Sequence, residues 1–306
     1  MDEELRDFLQ RNKLVIHMGA HKTATTYIQS ALNAQREPLK SQGILMVLPS
    51  DLRGTGMLQG KKTQGAAAES GDGAGSKKRN LTTLLGEMAA DPDTRRIVVS
   101  EEGLIGSPRN NLNRRSLYPN LTSKLANLPK PLDHPNVTFL LSLRDYGSFF
   151  SSNVTTAVRR GNIFDPEQLH ASLLLMHRSW VDVLTELRAA FPSAALKIWR
   201  YEDFEALEPL IFSELAPGFE VTPSDRLFGT LSGNAIKHIL DQVGPESGPE
   251  ITRPVVRAAV RKYPISARNP SFSLWSEEEA AHLTFRYTLD WQAICRGYPG
   301  IVLGSA

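Results

Sequence analysis

His21, Lys22, Thr23, Thr25 and Thr26 fall within six consecutive positions of the stretch LVIHMGAHKTATTYIQSAL, residues 14 to 32. The first residues are apolar, and an amphipathic pattern follows, so the polar group occupies a turn between a strand and a helix. Such a turn can hold an anion. The first amides of a helix lack intrahelical acceptors, and the helix dipole adds partial positive charge at the same place. Gly19 and Ala20 keep the turn small, Lys22 supplies a full charge, and Thr23, Thr25 and Thr26 supply hydroxyl donors. One threonine would suffice to cap a helix. Three beside a lysine point to a phosphate or sulfate.

The elements that must position this turn follow from hydrophobic patterning. Runs rich in Val, Ile and Leu at Leu14–Met18, Ile44–Leu48, Ile97–Val99, Val137–Leu143 and Ala195–Trp199 predict buried strands. Between them, Ile28, Ala31 and Leu32 share one helical face, Gly43 is a stop before the second strand, and Leu81–Ala90, Phe149–Arg160 and Leu169–Phe191 read as helices. The alternation predicts an α/β fold of three layers, with a central, mostly parallel sheet flanked by helices. It ends near residue 205. Beyond that the chain reads as helical and irregular, broken at Pro217, Pro223, Pro245, Pro249 and Pro264. The expectation is a single domain over 1–306, with an α/β core at about 13–204 and a C-terminal extension at about 205–306 packed on it. Residues 53 to 80 are rich in Gly, Ala, Ser and Lys, too poor in large apolar residues to bury much. They read as a mobile loop, either a tolerated insertion or a lid.

The bulk numbers exclude some classes. The 306 residues are 41% hydrophobic and carry a net charge of +2, which suits a globular chain without the global basic field of a nucleic-acid binder. The one cysteine, Cys295, cannot form an internal disulfide, and nothing in the sequence near it supplies a base, so it reads as packing. The charged N-terminus lacks a signal-peptide pattern and no apolar run approaches a membrane span. The expectation is a cytoplasmic protein.

The turn fails the triphosphate-loop pattern GxxxxGK[ST], because His21 stands where the glycine before the lysine belongs. Lys22-Thr23-Ala24-Thr25-Thr26, followed by Tyr27, instead resembles the K-[ST]-G-T-T loop of sulfotransferases that use 3′-phosphoadenosine 5′-phosphosulfate (PAPS). The histidine before the lysine is similar to a bacterial branch of that family. Ala24 departs from the usual glycine, and its Cβ narrows the approach of a phosphate. A second segment agrees: VTFLLSLRDYGSFFSS carries Arg144 and, eight positions later, Ser152, resembling the arginine–serine pair that holds the cofactor's 3′-phosphate. A third, Arg200-Tyr201-Glu202-Asp203-Phe204, resembles a segment whose tyrosine contacts the adenine, which implies that role for Tyr201.

The resemblance implies that the α/β fold is P-loop-like in type, and it implies a sulfotransferase that moves a sulfuryl group from PAPS to a hydroxyl or amine, releases 3′-phosphoadenosine 5′-phosphate (PAP) and needs no metal. Lys22 would stabilise the leaving oxygen. His21, Lys22, Thr23, Ala24, Thr25, Thr26, Tyr27, Arg144, Ser152 and Tyr201 would bind the nucleotide. For the base, the strand Arg96-Ile97-Val98-Val99 runs into Ser100-Glu101-Glu102, at the edge of a parallel sheet where ligands bind. Glu101 is the first candidate and Glu102 the second, against the alternative that both cap the next helix. His21 and His17 are weaker, His17 reading as a satisfied core histidine. The acceptor, a small molecule or a glycan, cannot be read. Arg114, Arg115, Arg159 and Arg160 read as surface charges. A small-molecule kinase and a non-catalytic nucleotide-binding relative are the alternative readings.

Overall fold

The computed structural model describes residues 2–53, 80–160, 166–219, 231–242 and 253–304. Its centre is a five-stranded, all-parallel sheet of β1 (Lys13–His17), β2 (Ile44–Val47), β3 (Arg96–Ser100), β4 (Val137–Leu143) and β5 (Ala195–Arg200), in the order β2-β3-β1-β4-β5. The expected three-layer α/β fold is therefore the observed one.

The near-continuous apolar strands are explained by burial on both faces. Successive side chains of a strand point to opposite faces. Leu14 and Ile16 join one apolar layer with Ile97, Val99, Phe139 and Leu141. Val15, Val98 and Leu140 join the other, with Ile28 and Leu32 of helix Thr25–Ala34 and Phe212 of helix Phe204–Leu215. On the first face, helix Asp2–Leu9 buries Leu5, Phe8 and Leu9, a spacing of three and four that puts them on one stripe.

Strand order fixes where a ligand can sit. From β1 the chain leaves toward β2, and from β4 it leaves toward β5, so neighbouring strands send their connections in opposite directions. The crevice beyond the carboxyl ends of β1 and β4 is the topological switch point, where open parallel sheets bind ligands.

Three expectations need correction. Leu169–Phe191 is not one helix: Pro166–Leu174 ends, and Trp180–Ala190 restarts from a capping box in which Ser179 and Asp182 satisfy each other's backbone amides. Cys295 is exposed on helix Glu277–Gly297 rather than packed. His17 is buried and stacks on Trp199, with Nδ1 2.9 Å from Ser100 Oγ, but its Nε2 has no protein partner among the described residues. Gly43 does stop the chain before β2; at φ 76°, a Cβ would lie 2.5 Å from the Asp93 carbonyl oxygen, so only glycine fits.

Two contacts of the C-terminal part with the core bear on the site's frame. Helix Glu277–Gly297 lies against helix Tyr146–Arg159. The segment after it runs along the outer edge of β5, where Ile198 N donates to Ile301 O at 2.8 Å and Leu303 N donates to Ile198 O at 2.8 Å. An otherwise open strand edge is covered this way. The segment expected to be a mobile loop lies almost wholly outside the described residues. Among the described residues no helix is long and apolar enough to cross a membrane.

Candidate functional site

The turn after β1 is tied to β4. Met18 N donates to Leu140 O at 3.0 Å, Ala20 N to Ser142 O at 3.1 Å, and Ser142 N to Gly19 O at 2.7 Å. Gly19 has φ 97°, and a Cβ there would sit 3.0 Å from the Glu102 Cβ, so the turn can pass this close to the end of β3 only as glycine. Lys22 and Ala24 both adopt left-handed backbone conformations, with φ 67° and 62°. Helix Thr25–Ala34 then begins without any side-chain cap. Turns of this kind, with left-handed residues before a helix start, gather backbone amides into an anion-binding concavity.

A cavity of about 370 Å³ opens at this point. The turn lends it His21, Lys22 and Ala24, and the first helical turn lends Thr25, Thr26 and Tyr27. Glu102 and Pro108 come from beyond β3, and Arg144 from beyond β4. Helix Tyr146–Arg159 and the residue after it contribute Ser152, Thr156, Arg159 and Arg160, and the chain beyond β5 contributes Tyr201 and Phe204. The three segments singled out in the sequence thus converge on one site, at the switch point. A shallower groove, lined by Val256, Arg257, Val260 and Arg261, shares Arg159 with it.

Arg144 holds several groups in register. Its Nε donates to Ser148 Oγ at 3.0 Å, its Nη1 donates to the Lys22 carbonyl, and its guanidinium lies 4.6 Å from the centre of the Tyr201 ring. Asp145 makes no bond to it and instead caps helix Tyr146–Arg159 through Ser148 N. Glu202, in the third segment, latches elements together: it accepts from Asp145 N at 3.0 Å and from the Tyr287 hydroxyl at 3.2 Å.

Two candidates lie elsewhere. Thr23 is fully buried and donates its hydroxyl to Ala20 O at 2.7 Å, so it braces the turn from within and does not line the cavity. Glu101 is buried too and caps the 3-10 turn Glu102–Leu104, accepting from Gly103 N at 2.7 Å. The carboxylate at the cavity is that of Glu102, which accepts from Gln29 Nε2 at 2.9 Å. Tyr27 borders the cavity, but its ring packs edge-on against Phe204 and Phe212.

Arg159 and Arg160 are exposed, as surface charges are, yet both also line the cavity, whereas Arg115 bonds Gln168 on the surface. A stripe could have disclosed Arg159: Ser152, Thr156 and Arg159 are spaced four and three, which puts them on one helical face. Gln29, four residues beyond Thr25, carried no such signal, because its partner Glu102 is remote in sequence. Tyr118 also went unnoticed. It is fully buried, and its hydroxyl lies 2.9 Å from His21 N.

The electrostatics favour an anion. Burial, then the repulsion of Arg144, Arg159 and Arg160, pulls the Lys22 ammonium down to about 8 against the opposing effect of Glu102. Burial brings His21 down to about 4, so its imidazole is neutral at pH 7. A cluster of cations that destabilise one another's charge is relieved by a polyanion.

No protein-family model, curated protein or solved structure matches the chain.

Proposed function

We propose that the chain is a PAPS-dependent sulfotransferase acting on a hydroxyl or amine of an acceptor molecule. The observation that carries the reading is the convergence of Lys22, Arg144 and Ser152 on one cavity at an uncapped helix start. The cavity suits such a nucleotide in kind. Its volume lies in the range of small-molecule sites, it gathers four cationic side chains and one carboxylate, and the Tyr201 ring beside Arg144 offers a face for a base.

In this reading Lys22, Thr25, Thr26 and the first amides of the helix hold the 5′-phosphosulfate. Arg144 and Ser152 hold the 3′-phosphate, and Tyr201 meets the adenine. PAPS supplies an activated sulfuryl group, which bonds to the acceptor oxygen as its bond to the 5′-phosphate oxygen breaks. Lys22 stabilises the negative charge that this oxygen takes on. Glu102, oriented by Gln29, receives the acceptor's proton. The acceptor approaches along the groove of Arg257 and Arg261, which adjoins the cavity at Arg159.

Calorimetric titration with PAP, beside ADP and ATP with magnesium, tests the reading. Tight binding of PAP alone, without metal, supports it. A preference for magnesium ATP would replace it with a kinase, and binding of none of the three would leave a protein that does not use nucleotides. Lys22→Ala is expected to abolish transfer in a protein that remains folded, and Arg144→Ala to weaken PAP binding at least tenfold. Transfer that survives Lys22→Ala would sink the assignment of the lysine.

A further inference from the structure

Tyr118 lies about a hundred residues from the anion turn in sequence, yet it touches the turn's histidine twice. Its hydroxyl is 2.9 Å from His21 N and 3.0 Å from His21 Nδ1. The phenol is held rigidly. Its own amide donates to Asn111 Oδ1 at 3.0 Å, its ring packs against Phe149 and Trp180, and a Cβ at Gly106 would come within 2.9 Å of it. The residue also has φ 45°, in the left-handed region, a conformation that only surrounding contacts sustain.

The protons around this hydroxyl can be counted. A backbone N–H only donates, so the Tyr118 oxygen accepts from His21 N. The phenol carries one proton, and burial pushes its titration far above neutral pH. The other polar atom in reach among the described residues is Nδ1. If Nδ1 also carried a proton, two donors would face the oxygen and the proton of this fully buried phenol would have no acceptor among those residues. An unmade buried hydrogen bond costs about 1–3 kcal/mol. If Nδ1 is bare, the phenol donates to it and every group is satisfied.

We propose that Tyr118 fixes His21 as the neutral tautomer protonated at Nε2, so that the imidazole offers the cavity a hydrogen-bond donor and not a proton acceptor. His21 lines the cavity beside Lys22, and Nε2 is the ring nitrogen that Tyr118 leaves to it. His21 then binds an oxygen of the anion, and proton removal falls to Glu102. The second consequence rests on the sulfotransferase reading; the tautomer and the anion contact do not. Tyr118 is a positioning residue, acting through His21.

Nitrogen NMR of the histidine side chains tests this on the full chain, with His21→Gln identifying the resonances of His21 among the seven histidines. At pH 7 the expected pattern is a pyridine-type Nδ1 and a pyrrole-type Nε2. The reverse pattern, or a doubly protonated ring, overturns the proposal. Inorganic pyrophosphate is the probe for the cavity: its addition is expected to move the Nε2–H resonance, and an unmoved resonance under saturating pyrophosphate overturns the donor role. Tyr118→Phe, checked for folding by circular dichroism, is expected to give a mixture of tautomers and about tenfold weaker pyrophosphate binding. An unmixed Nε2–H tautomer in that variant would show that Tyr118 is not what fixes it. Should the variant not fold, the unsubstituted protein's spectrum decides alone. Failure of PAP to bind, with the tautomer and the pyrophosphate response intact, would overturn the sulfotransferase reading and leave this inference standing.

Discussion

Ala24 holds a backbone conformation, φ 62°, that suits glycine, and it does so at the residue from which helix Thr25–Ala34 starts. A left-handed alanine costs about 1–2 kcal/mol, part of which a glycine would give back through its freer unfolded state. Ala24→Gly is therefore expected to stabilise the protein by about 0.5–1 kcal/mol and to tighten PAP binding, since no Cβ then borders the cavity. Chemical denaturation and calorimetry measure the two effects; a destabilised variant would mean that the alanine methyl contributes packing that outweighs its strain. Lys22 sets a pH dependence. Its ammonium is lowered to about 8 by burial and the neighbouring arginines, so it is charged below that pH and neutral above it. An anion binds the charged form, and binding is expected to take up a proton near pH 8 and to weaken as pH rises through 8 toward 10. For folding the sign is opposite: the native state releases this proton before the unfolded chain does, so the stability cost of the buried charge, full below pH 8, lifts between about 8 and the ordinary lysine range. Titrations from pH 6.5 to 9.5 in two buffers of different ionisation enthalpy read the proton uptake directly. Affinity independent of pH over that range would remove Lys22 from the site.

At the scale of elements, the site depends on neighbouring strand ends more than on any single loop. Helix Thr25–Ala34 follows the turn, lends the cavity Thr25 and Thr26 and, one turn later, offers Gln29 to Glu102 beyond β3. One helix thereby connects the proposed nucleotide cradle to the carboxylate. Gln29→Ala is expected to lower kcat about tenfold while leaving PAP affinity within twofold, because Glu102 loses its orienting donor but the cradle is untouched. Equal losses in both quantities would mean that Gln29 supports the helix start and not the carboxylate. Helix Tyr146–Arg159 works in the same manner on the other side of the crevice: Asp145 caps it, and its stripe of Ser152, Thr156 and Arg159 faces the cavity.

Across the whole molecule, the C-terminal part buttresses β5, the turn after it that holds Tyr201, and helix Tyr146–Arg159. Tyr287 of helix Glu277–Gly297 bonds Glu202, Trp275 Nε1 donates to Gly147 O at 2.9 Å, and the segment at Ile301–Leu303 covers the edge of β5. Ending the chain after Tyr298 would strip Ile198 N of its acceptor and expose the apolar contacts of Ile301, Val302 and Leu303. The shortened chain is expected to lose about 2–4 kcal/mol of stability, with the melting temperature lowered by several degrees. Unchanged melting would show that the edge segment is dispensable to β5.

The sequence by itself determined the layers, the strands and the strand-to-helix turn after β1, because each is a local pattern. Apolar runs mark strands buried on both faces, Gly43 marks a stop, and polar residues between an apolar run and an amphipathic one mark the turn. The break at Ser179 was also local, a capping box overlooked within an apolar periodicity. Tertiary structure alone decided which polar side chains face the cavity. Thr23 and Glu101 have the right chemistry at the right positions, but the turn and the 3-10 start use their oxygens internally. Glu102, Arg159 and Arg160 reach the cavity because the order β3-β1-β4 brings their elements to one crevice. The bond between Tyr118 and His21 joins positions 97 apart, and no periodicity or spacing along a chain encodes a pairing of that kind: it exists only where packing brings two distant segments within reach of one hydrogen bond.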